Sequence, residues 1–406
     1  MTLQPVEPKL TLASAFAGAA PFGDTRARPV EVFTSMSAAR AEWERLEARA
    51  PASPYQTFAF CRAWMETQGA ATGAAPLIAI ARAPDGDEAI ALLPLCRFRR
   101  GGLAIAEFLG GRMANYQMGL FRDPESFARQ DVEALLNGVA KQARLDLFLF
   151  RHQPAAWRGR LNPFAALPGR PSPSFAYATE LGGDLEAWTR AHYSTAARKK
   201  RRAKTRKLEA LGPVTHVHAR SEAERRAALA AFLSQKQARM SALALPNEFE
   251  DAATRALIAD LAGLDGGTQS AGLEFHFVTA GDRIVAVYAG LLRDGRLSGL
   301  LFSHDVAPDV APSSPGEALI LALVQDAVGR GLESLDFGVG EARYKSEACE
   351  IVEPLFDSAF AATLKGSLGA AAYLTLRKLK RRIKQTPELF DLARSAQRWA
   401  FRRRAR

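Results

Sequence analysis

The chain of 406 residues is long enough for two or three domains, and 48% hydrophobic with 24% charged residues is an ordinary globular composition. The formal net charge is +11, of which the segment RKKRRAKTRK (198–207) contributes +8 and residues 376–406 contribute +10, leaving −7 for the remainder. A mildly acidic body with two basic segments excludes a protein that coats nucleic acid with its whole surface.

Residues 1–29 precede the first predicted element. They include the apolar stretch LTLASAFAGAA, but Glu7 precedes it and only Lys9 supplies positive charge, so we expect a flexible leader rather than a signal peptide. No run reaches the ~18 uncharged apolar residues of a membrane helix. The three cysteines are far apart and have no zinc-ligand spacing. We therefore expect a reduced, cytoplasmic protein without a disulfide framework.

Residues 30–175 are predicted to form a first domain. Helical patterns near 37–49 and 58–68 lead to the strand pair PLIAIARAPDGDEAIALLPLCRF, whose turn PDGD (84–87) is a strong hairpin signal. GGLAIAEFLGG is predicted as the third strand. After NYQMGLF come the amphipathic helix DVEALLNGVAKQAR and the apolar strand LDLFLF (145–150).

Residues 176–375 repeat this order of elements after a proline-rich link, NPFAALPGRPSPSF (162–175), which suits a domain boundary. A hairpin is predicted at AGDR (280–283), GRLSGLLFSHD is the third strand, and the helix of EALILALVQDAVGRG leads to the strand LESLDF (332–337). Helices are predicted to precede the hairpin at 184–211, 221–240 and 249–263.

Meandering strands followed by a helix and a buried parallel strand form the layout of the GNAT acetyltransferase fold. The predicted fold class is therefore α/β (α+β), with two tandem GNAT-like domains, each a mixed, mostly antiparallel sheet flanked by helices. Such a sheet is splayed where the third strand leaves its neighbour, and ligands bind in crevices of this kind. The basic residues 376–406 form a tail beyond the second domain.

The turn Ser-Pro-Gly-Glu (314–317) opens the last helix of the second half. Ser314 suits an N-cap, Pro315 the first helical position, and Glu317 completes a capping box. Gly316 has no Cβ, so a ligand can approach the backbone there, and exposed amides at a helix N-terminus bind phosphate. The alternative is a well-capped helix without a ligand, because the Glu317 carboxylate competes with an anion.

The stretch FSHDVAPDVAPSSPGEALILALVQDAVGRGLESLDFGVGEARYKSE (302–347) resembles bacterial CelD-type acyltransferases. These are double-GNAT proteins related to the FemAB peptidyltransferases and are often found with exopolysaccharide or cellulose genes. Their pattern has an aspartate after the third strand, Ser-Pro-Gly opening the helix, Asp-Phe-Gly closing the next strand, and then Tyr-Lys. The matching positions are Asp305, Ser314–Gly316, Asp336–Gly338 and Tyr344–Lys345. A looser resemblance covers roughly residues 30 to 385.

This sequence departs from the pattern at two points. His304 stands where the family usually has an aromatic residue, and the usual GNAT phosphate loop, with Gln or Arg before Gly-x-Gly, is absent. The resemblance implies that the second half binds acetyl-CoA or another acyl-CoA, with the pyrophosphate at Ser314, Pro315, Gly316 and Glu317. The acyl group would pass to an amine of an amino sugar or similar polysaccharide precursor.

Three residues are candidates for the chemistry. Asp336 ends a buried strand, and burial raises the pKa of a carboxyl group, which suits a base for an ammonium nucleophile; the alternative is an aspartate that accepts backbone N–H groups of the following GVG. Lys345 would hold a phosphate or the oxyanion of acyl transfer, or else form an ion pair with Glu341. Tyr344 would protonate the leaving thiolate, or simply pack.

The resemblance implies that the first half holds the acceptor. Asn115 and Tyr116, together with Asp305 of the second half, are therefore candidate acceptor-binding residues, with an ordinary loop role as the alternative.

His216 and His218 lie on one face of a strand, but no third metal ligand has suitable spacing. They are interpreted as exposed strand residues, and His276 as core-facing, so no metal is expected.

Two other functions remain open. One is a FemAB-like transferase that uses aminoacyl-tRNA, in which the helix 198–207 would contact RNA. The other is a non-catalytic scaffold for a membrane polysaccharide synthase. The scaffold would act through the basic tail 376–406. This tail alternates cations with apolar residues, which is typical of a segment drawn to anionic lipid at the inner membrane; the alternative is a solvated helix end.

Overall fold

The structure is a computed structural model that describes residues 28–84, 86, 88–266 and 270–404. The predicted leader, apart from its last two residues, and Asp85 and Asp87 of the first predicted hairpin turn lie outside the described residues.

The described chain alternates strands and helices in the predicted order. The strands are Val30–Phe33 (β1), Ala75–Arg82 (β2), Ala89–Arg100 (β3), Leu103–Phe108 (β4), Leu120–Phe121 (β5), Leu147–Pro154 (β6), Ala156–Trp157 (β7), Arg160–Leu161 (β8), Gly169–Pro171 (β9), Ala176–Glu180 (β10), Val214–His218 (β11), Leu273–Ala280 (β12), Arg283–Arg293 (β13), Arg296–His304 (β14), Ser334–Val339 (β15), Ile351–Glu353 (β16) and Leu355–Ala361 (β17). The α-helices are Met36–Glu47 (α1), Phe58–Trp64 (α2), Arg129–Ala143 (α3), Leu185–His192 (α4), Thr195–Glu209 (α5), Glu222–Leu243 (α6), Ala252–Leu261 (α7), Pro315–Gly329 (α8), Arg343–Ala348 (α9), Leu364–Gln385 (α10) and Pro387–Arg404 (α11).

The chain divides into two compact units. Unit 1 contains the described residues up to Phe175 together with Val352–Gln385, and unit 2 contains Ala176–Ile351 with the described residues from Thr386 onward. The break at Phe175 coincides with the predicted boundary. The predicted second domain extended to residue 375, whereas in the structure Val352–Gln385 belong to unit 1.

The sheet of unit 1 has the order β1-β2-β3-β4-β6-β17-β9, with β5 paired to β3. Its pairs are antiparallel except for β4 and β6, which run parallel through Ile105↔Leu147 and Ala106↔Phe148. The strand β17 explains the return of the chain, because it pairs antiparallel with the apolar strand β6 and covers that strand's free edge. A sheet edge left open exposes unpaired backbone groups, so β17 completes unit 1.

The sheet of unit 2 has the order β11-β12-β13-β14-β15-β10. The predicted hairpin at residues 280–283 joins β12 to β13, and β14 and β15 form the parallel pair that corresponds to β4 and β6. Helix α8 buries one stripe of apolar side chains against β12 and β13. Those side chains are Leu319, Ile320, Leu323, Val324 and Ala327.

Two helical predictions need adjustment. The stretch predicted as one helix over 184–211 is broken into α4 and α5 at Tyr193, which is extended, and the Ser194 side chain then accepts the Ala197 N–H as an N-cap. The basic tail is helical and forms the second half of α10 and all of α11. Among the described helices, none is long and apolar enough to cross a membrane.

Candidate active site

The sheet of unit 2 opens between β14 and β15. The two strands pair only through Arg296↔Ser334, Leu297↔Leu335 and Ser298↔Asp336, after which β14 continues with β13 and β15 with β10. The side chain of Tyr288 fills the base of the opening, where an added Cβ on Gly299 would lie 2.8 Å from the Tyr288 hydroxyl. The predicted splay is therefore present, with Asp336 at the last paired position.

The Asp-Phe-Gly and Tyr-Lys motifs are joined by hydrogen bonds. Asp336 is fully buried, its Oδ1 accepts the Gly338 N–H at 2.7 Å, and its Oδ2 lies 3.1 Å from Arg296 Nη2. The carbonyl of Gly338 in turn accepts a hydrogen bond from Lys345 Nζ at 3.0 Å, and that of Val339 lies 3.3 Å from the same nitrogen. Gly338 has a φ of +75°, which favours glycine. Asp336 thus shapes the turn that holds Lys345.

Lys345 is a buried amine at the open end of β15. It is 5% exposed, and burial lowers its pKa to about 8, although the carboxylate of Asp336 acts in the opposite direction. Lys236 of α6 contributes to the same lowering through its positive charge, and burial lowers the pKa of Lys236 to about 8 as well. Near neutral pH Lys345 is mainly a cation, which suits the stabilisation of a developing oxyanion.

Tyr344 is half-buried and packs against two aromatic rings of the site. Its ring stacks on Phe302 with a centroid distance of 4.7 Å and meets Phe337 edge-on at 6.0 Å. Burial raises the pKa of the Tyr344 hydroxyl further above its ordinary value. These contacts are those of a packed tyrosine, which was the alternative to a role in protonating the thiolate.

The N-terminus of α8 does not form the predicted capping box. Ser314 has a φ of +52° and its side chain caps no backbone N–H; the Glu317 N–H bonds to the Ser314 carbonyl at 2.9 Å instead. The Glu317 carboxylate turns toward α5, where Lys204 Nζ lies 2.6 Å from Oε1 and Arg201 Nε lies 3.5 Å from Oε2. The predicted box is wrong because these cations attract the carboxylate more strongly than a backbone amide does.

Gly316 serves helix packing. Pro315 and Gly316 are both buried, and a Cβ on Gly316 would lie 3.2 Å from Phe302 Cζ and 3.5 Å from His304 Cδ2. The missing side chain therefore lets α8 approach β14 closely. Contrary to the prediction, Gly316 does not leave open space for a ligand on the side that faces β14.

The basic helix α5 has two faces. Arg201 and Lys204 face inward: Arg201 lies over the Tyr193 ring at 3.3 Å, and Lys204 bonds Glu317. These two cations are therefore engaged within unit 2 and do not face solvent. The remaining cations include exposed residues along the outer surface, namely Lys199, Lys200, Arg202, Arg206 and Lys207. Helix α5 packs against α8 through the face that carries Arg201 and Lys204, so the exposed cations form a basic surface on its opposite face.

Asp305 is engaged locally in unit 2. One of its oxygens accepts the Ala307 N–H at 2.9 Å and the other pairs with Arg283. Asp305 thus shapes the loop after β14.

The two acceptor candidates of the first half lie in unit 1, where both make internal contacts. Asn115 donates to the Tyr55 hydroxyl at 2.7 Å, and Tyr116, fully buried, donates to Glu353 at 2.6 Å. Within unit 2, the structure brings together Asp336, Tyr344, Lys345 and the start of α8. Asn115 and Tyr116 belong to unit 1 and are engaged there.

Two side chains of this site, those of His304 and Arg239, were not predicted from the sequence as site residues. His304, at the end of β14, has its Nε2 3.0 Å from Arg239 Nη1 of α6 and its Nδ1 3.2 Å from the Asp305 carbonyl. Burial lowers the pKa of His304, so it is mainly neutral near pH 7. Arg239 and Lys236 lie three residues apart on α6, and that spacing, which places both on one helix face, was the available signal.

His216 and His218 are not exposed strand residues as predicted. Both are half-buried, and with His276, which is fully buried, they form a stack in which the rings of His218 and His276 lie 4.2 Å apart. His276 Nδ1 is 3.3 Å from His216 Nε2. The prediction failed because β11 pairs with β12 and His218 faces His276 in the register, so the third histidine is distant in sequence.

Carboxylates flank this histidine stack. One ring nitrogen each of His218 and His276 and one oxygen of Asp326 lie within 4.8 Å of one another, a spacing that could hold a metal ion. Arg330 already supplies a cation there, because its Nη1 lies 3.3 Å from Asp326 Oδ2 and 2.9 Å from Glu274 Oε2. Burial raises the pKa of Glu274, but hydrogen bonds from His276 and Arg330 lower this pKa to about 2.

Comparisons with known proteins locate the family resemblance in unit 2. Residues 195–346 match the family model described as "Acetyltransferase (GNAT) domain". A search of functionally curated proteins finds no match.

Solved structures resemble most of the chain. FemX is 11% identical with a TM-score of 0.55, and the alignment covers 83% of this chain and 98% of FemX. A conserved protein of unknown function from Bacteroides thetaiotaomicron is 12% identical with a TM-score of 0.51, covering 82% of this chain and 100% of that one. A tandem GNAT protein from the clavulanic acid biosynthesis pathway is 10% identical with a TM-score of 0.45, covering 82% and 99%. The predicted fold class is confirmed: the chain folds like FemX, as two tandem GNAT-like units, and residues 195–346 match the GNAT domain model.

Proposed function

We propose that the protein is an N-acyltransferase that moves an acetyl or other acyl group from acyl-CoA to an amine, with the reaction at the opening between β14 and β15. The observation that carries the proposal is the position of Lys345, a buried cation held by the carbonyls of Gly338 and Val339 where these strands part. The matched acetyltransferase family supports the reaction class.

The reaction requires little covalent participation by the protein. The neutral amine nitrogen attacks the thioester carbonyl, the C–S bond breaks, coenzyme A leaves as a thiolate, and the proton of the new ammonium passes to water. Lys345 stabilises the oxyanion that forms on the carbonyl, and the walls of the opening orient the two substrates. Asp336 is a positioning residue in this account, since both of its carboxylate oxygens face groups of the fold.

Coenzyme A carries phosphates, and α5, which packs against the start of α8, offers cations for them. The exposed face of α5 would hold these phosphates, whereas the buried Gly316 makes direct seating on the first α8 amides less favourable than the sequence implied. The acceptor class, an amine of a cell-surface polysaccharide precursor, rests on the resemblance of residues 302–347 to CelD-type enzymes.

The test is acyl transfer from radiolabelled acetyl-CoA to a panel of amino sugars. We expect a labelled amide product, and a loss of about 100-fold or more in kcat/KM when Lys345 is changed to Gln. Lys141→Gln, an exposed lysine of α3 in unit 1, is the matched control and should retain full activity. Absence of transfer to any amine, combined with no coenzyme A binding in calorimetry, would refute the proposal; binding without transfer would favour the scaffold.

A second candidate is a transferase that uses aminoacyl-tRNA. The exposed cations of α5 favour it, because a continuous basic helix face suits a nucleic acid backbone. Changing Lys199, Lys200 and Arg202 to Gln should then weaken tRNA binding and reduce its salt slope by about one for each lost phosphate contact. Tight, salt-sensitive tRNA binding without coenzyme A binding would select this candidate over acyl-CoA.

A further inference from the structure

Helix α10 is fixed to unit 1 by one face. An added Cβ on Gly366 would overlap the Asp146 carbonyl oxygen, so the helix touches the chain directly before β6. Farther along, the Tyr373 hydroxyl donates to the Phe150 carbonyl at 3.2 Å, Arg377 pairs with Asp357, and Arg381 donates to the Ser172 carbonyl at 2.6 Å. These contacts set which residues point outward.

The outward face of α10 carries a stripe of leucines. Leu364, Leu368, Leu376 and Leu379 are 90%, 76%, 64% and 53% exposed. At about 100° per residue, all four fall within an arc of about 120° on the helix surface. Single exposed leucines are common, but a continuous apolar stripe held outward by a docked helix marks a contact surface.

Positive charge borders this leucine stripe. From Leu364 to Gln385 the helix contains seven lysines and arginines and no aspartate or glutamate. Lys378 and Lys380 lie on opposite sides of the stripe by the same helical spacing, and Arg382 lies at its C-terminal end.

The pKa of Lys380 is lowered, by burial first and then by repulsion from neighbouring cations. Those neighbours are Arg377, Lys384, Arg112 and Arg151. An anion at this surface would relieve the repulsion.

We propose that the outer face of α10 binds the surface of an anionic phospholipid membrane, with the four leucines in the boundary between headgroups and acyl chains. Apolar residues flanked by cations suit such an interface, because the leucines enter the acyl boundary while the lysines reach the headgroups. A second copy of the chain fits this face less well, since it would bring another helix of seven cations without an acidic residue. This membrane-binding proposal does not depend on the proposed acyl transfer.

The proposal also changes the role of the basic tail. Arg377, Arg381 and Lys384 are engaged with Asp357, the Ser172 carbonyl and the Ser174 hydroxyl within unit 1. The predicted membrane contact through residues 376–406 therefore moves to the outer surface of α10, which begins at Leu364.

The test is flotation of the full-length protein with vesicles. We expect binding to vesicles of phosphatidylcholine with about one-third phosphatidylglycerol, and little binding to phosphatidylcholine alone. Leu364→Ser with Leu379→Ser should lower the partition coefficient roughly 10-fold or more, because about two buried side chains are lost from the interface. Lys378→Gln with Lys380→Gln should lower it to a similar degree at low salt and much less at high salt.

Matched controls lie elsewhere on the same unit. Leu161→Ser removes another exposed leucine, and Arg99→Gln with Arg100→Gln removes a pair of exposed cations; both should leave vesicle binding unchanged. Circular dichroism confirms that each variant is folded. Unchanged binding in the α10 variants, with loss in a Trp399→Ser variant of α11, would overturn the proposal. It would also be overturned by equal binding to both vesicle types, or by light scattering that shows a dimer which the Leu364→Ser, Leu379→Ser variant dissociates.

Discussion

Substitution of Asp336 separates a positioning role from the role of catalytic base. Asp336→Ala removes the acceptor of the Gly338 N–H and the carboxylate facing Arg296, both in a fully buried setting. Breaking a buried pair by removal of one partner costs about 3–5 kcal/mol, and a buried unsatisfied donor costs about 1–3 kcal/mol. Because the two losses share one side chain and are not additive, we expect the free energy of unfolding to fall by about 3–5 kcal/mol.

Asp336→Asn is the discriminating variant. Its amide oxygen can still accept the Gly338 N–H, so the loss of stability should be smaller than for Asp336→Ala. Its missing charge no longer raises the pKa of Lys345, so the alkaline limb of the pH profile for acyl transfer should move below its wild-type position near pH 8. A residue with a purely structural role would leave that limb in place.

The measurements are urea unfolding of both variants and kcat/KM of Asp336→Asn between pH 6 and 10. A matched Arg296→Gln variant and the double variant complete a cycle, in which the double change should cost less than the sum of the two single changes. The positioning account would be refuted if Asp336→Asn lost activity about 100-fold or more with unchanged stability and an unmoved alkaline limb, which is the result expected of a base.

Three further predictions concern the start of α8 and the histidine stack. Gly316→Val should lower the free energy of unfolding by about 1–3 kcal/mol in urea, since a Cβ there already lies 3.2 Å from Phe302 Cζ; unchanged stability would show that this face is open. Glu317→Gln releases Lys204, which adds an unpaired cation to α5, and should tighten coenzyme A binding several-fold in calorimetry; weaker binding would contradict a phosphate role for the cations of α5. Burial lowers the pKa of His218 to about 4, against 6.5 when unfolded, so the unfolded chain binds more protons between these values and Tm should fall as pH drops from 6.5 to 4. His218→Gln should reduce this fall, and an identical fall in that variant would place the titration elsewhere.

Much of the fold could be predicted because it is encoded locally. The two hairpins, the helix after each third strand and the apolar strand that follows it all carry periodic patterns or turn signals, and their recurrence indicated two tandem units. The parallel pairing of β14 with β15 and its early end followed from this layout. The pairing of β17 with β6 of unit 1 could not be predicted, because the sequence of an apolar strand does not specify which of two exposed sheet edges it joins.

The candidate site was only partly predictable for a similar reason. The motifs placed Asp336, Tyr344 and Lys345 in one region, but the hydrogen bond from Lys345 to Gly338 depends on a turn geometry that the sequence does not state. Glu317 was assigned to a capping box from local spacing alone. The competing cation, Lys204, lies 113 residues earlier in the chain, and only tertiary structure brings it into contact.

The most direct test of the account is the pH dependence of kcat/KM for acyl transfer in the wild type and in Lys345→Arg. Burial lowers the pKa of Lys345 to about 8, so a rate that depends on its positive charge should fall as pH rises through about 8 in the wild type. An arginine stays charged over this range, so the variant should lose the alkaline limb even where its absolute rate is lower. A wild-type rate that rises through pH 8 without a later fall, or a limb that persists in Lys345→Arg and disappears in Lys236→Arg, would contradict the assignment of Lys345 as the cation that stabilises the oxyanion.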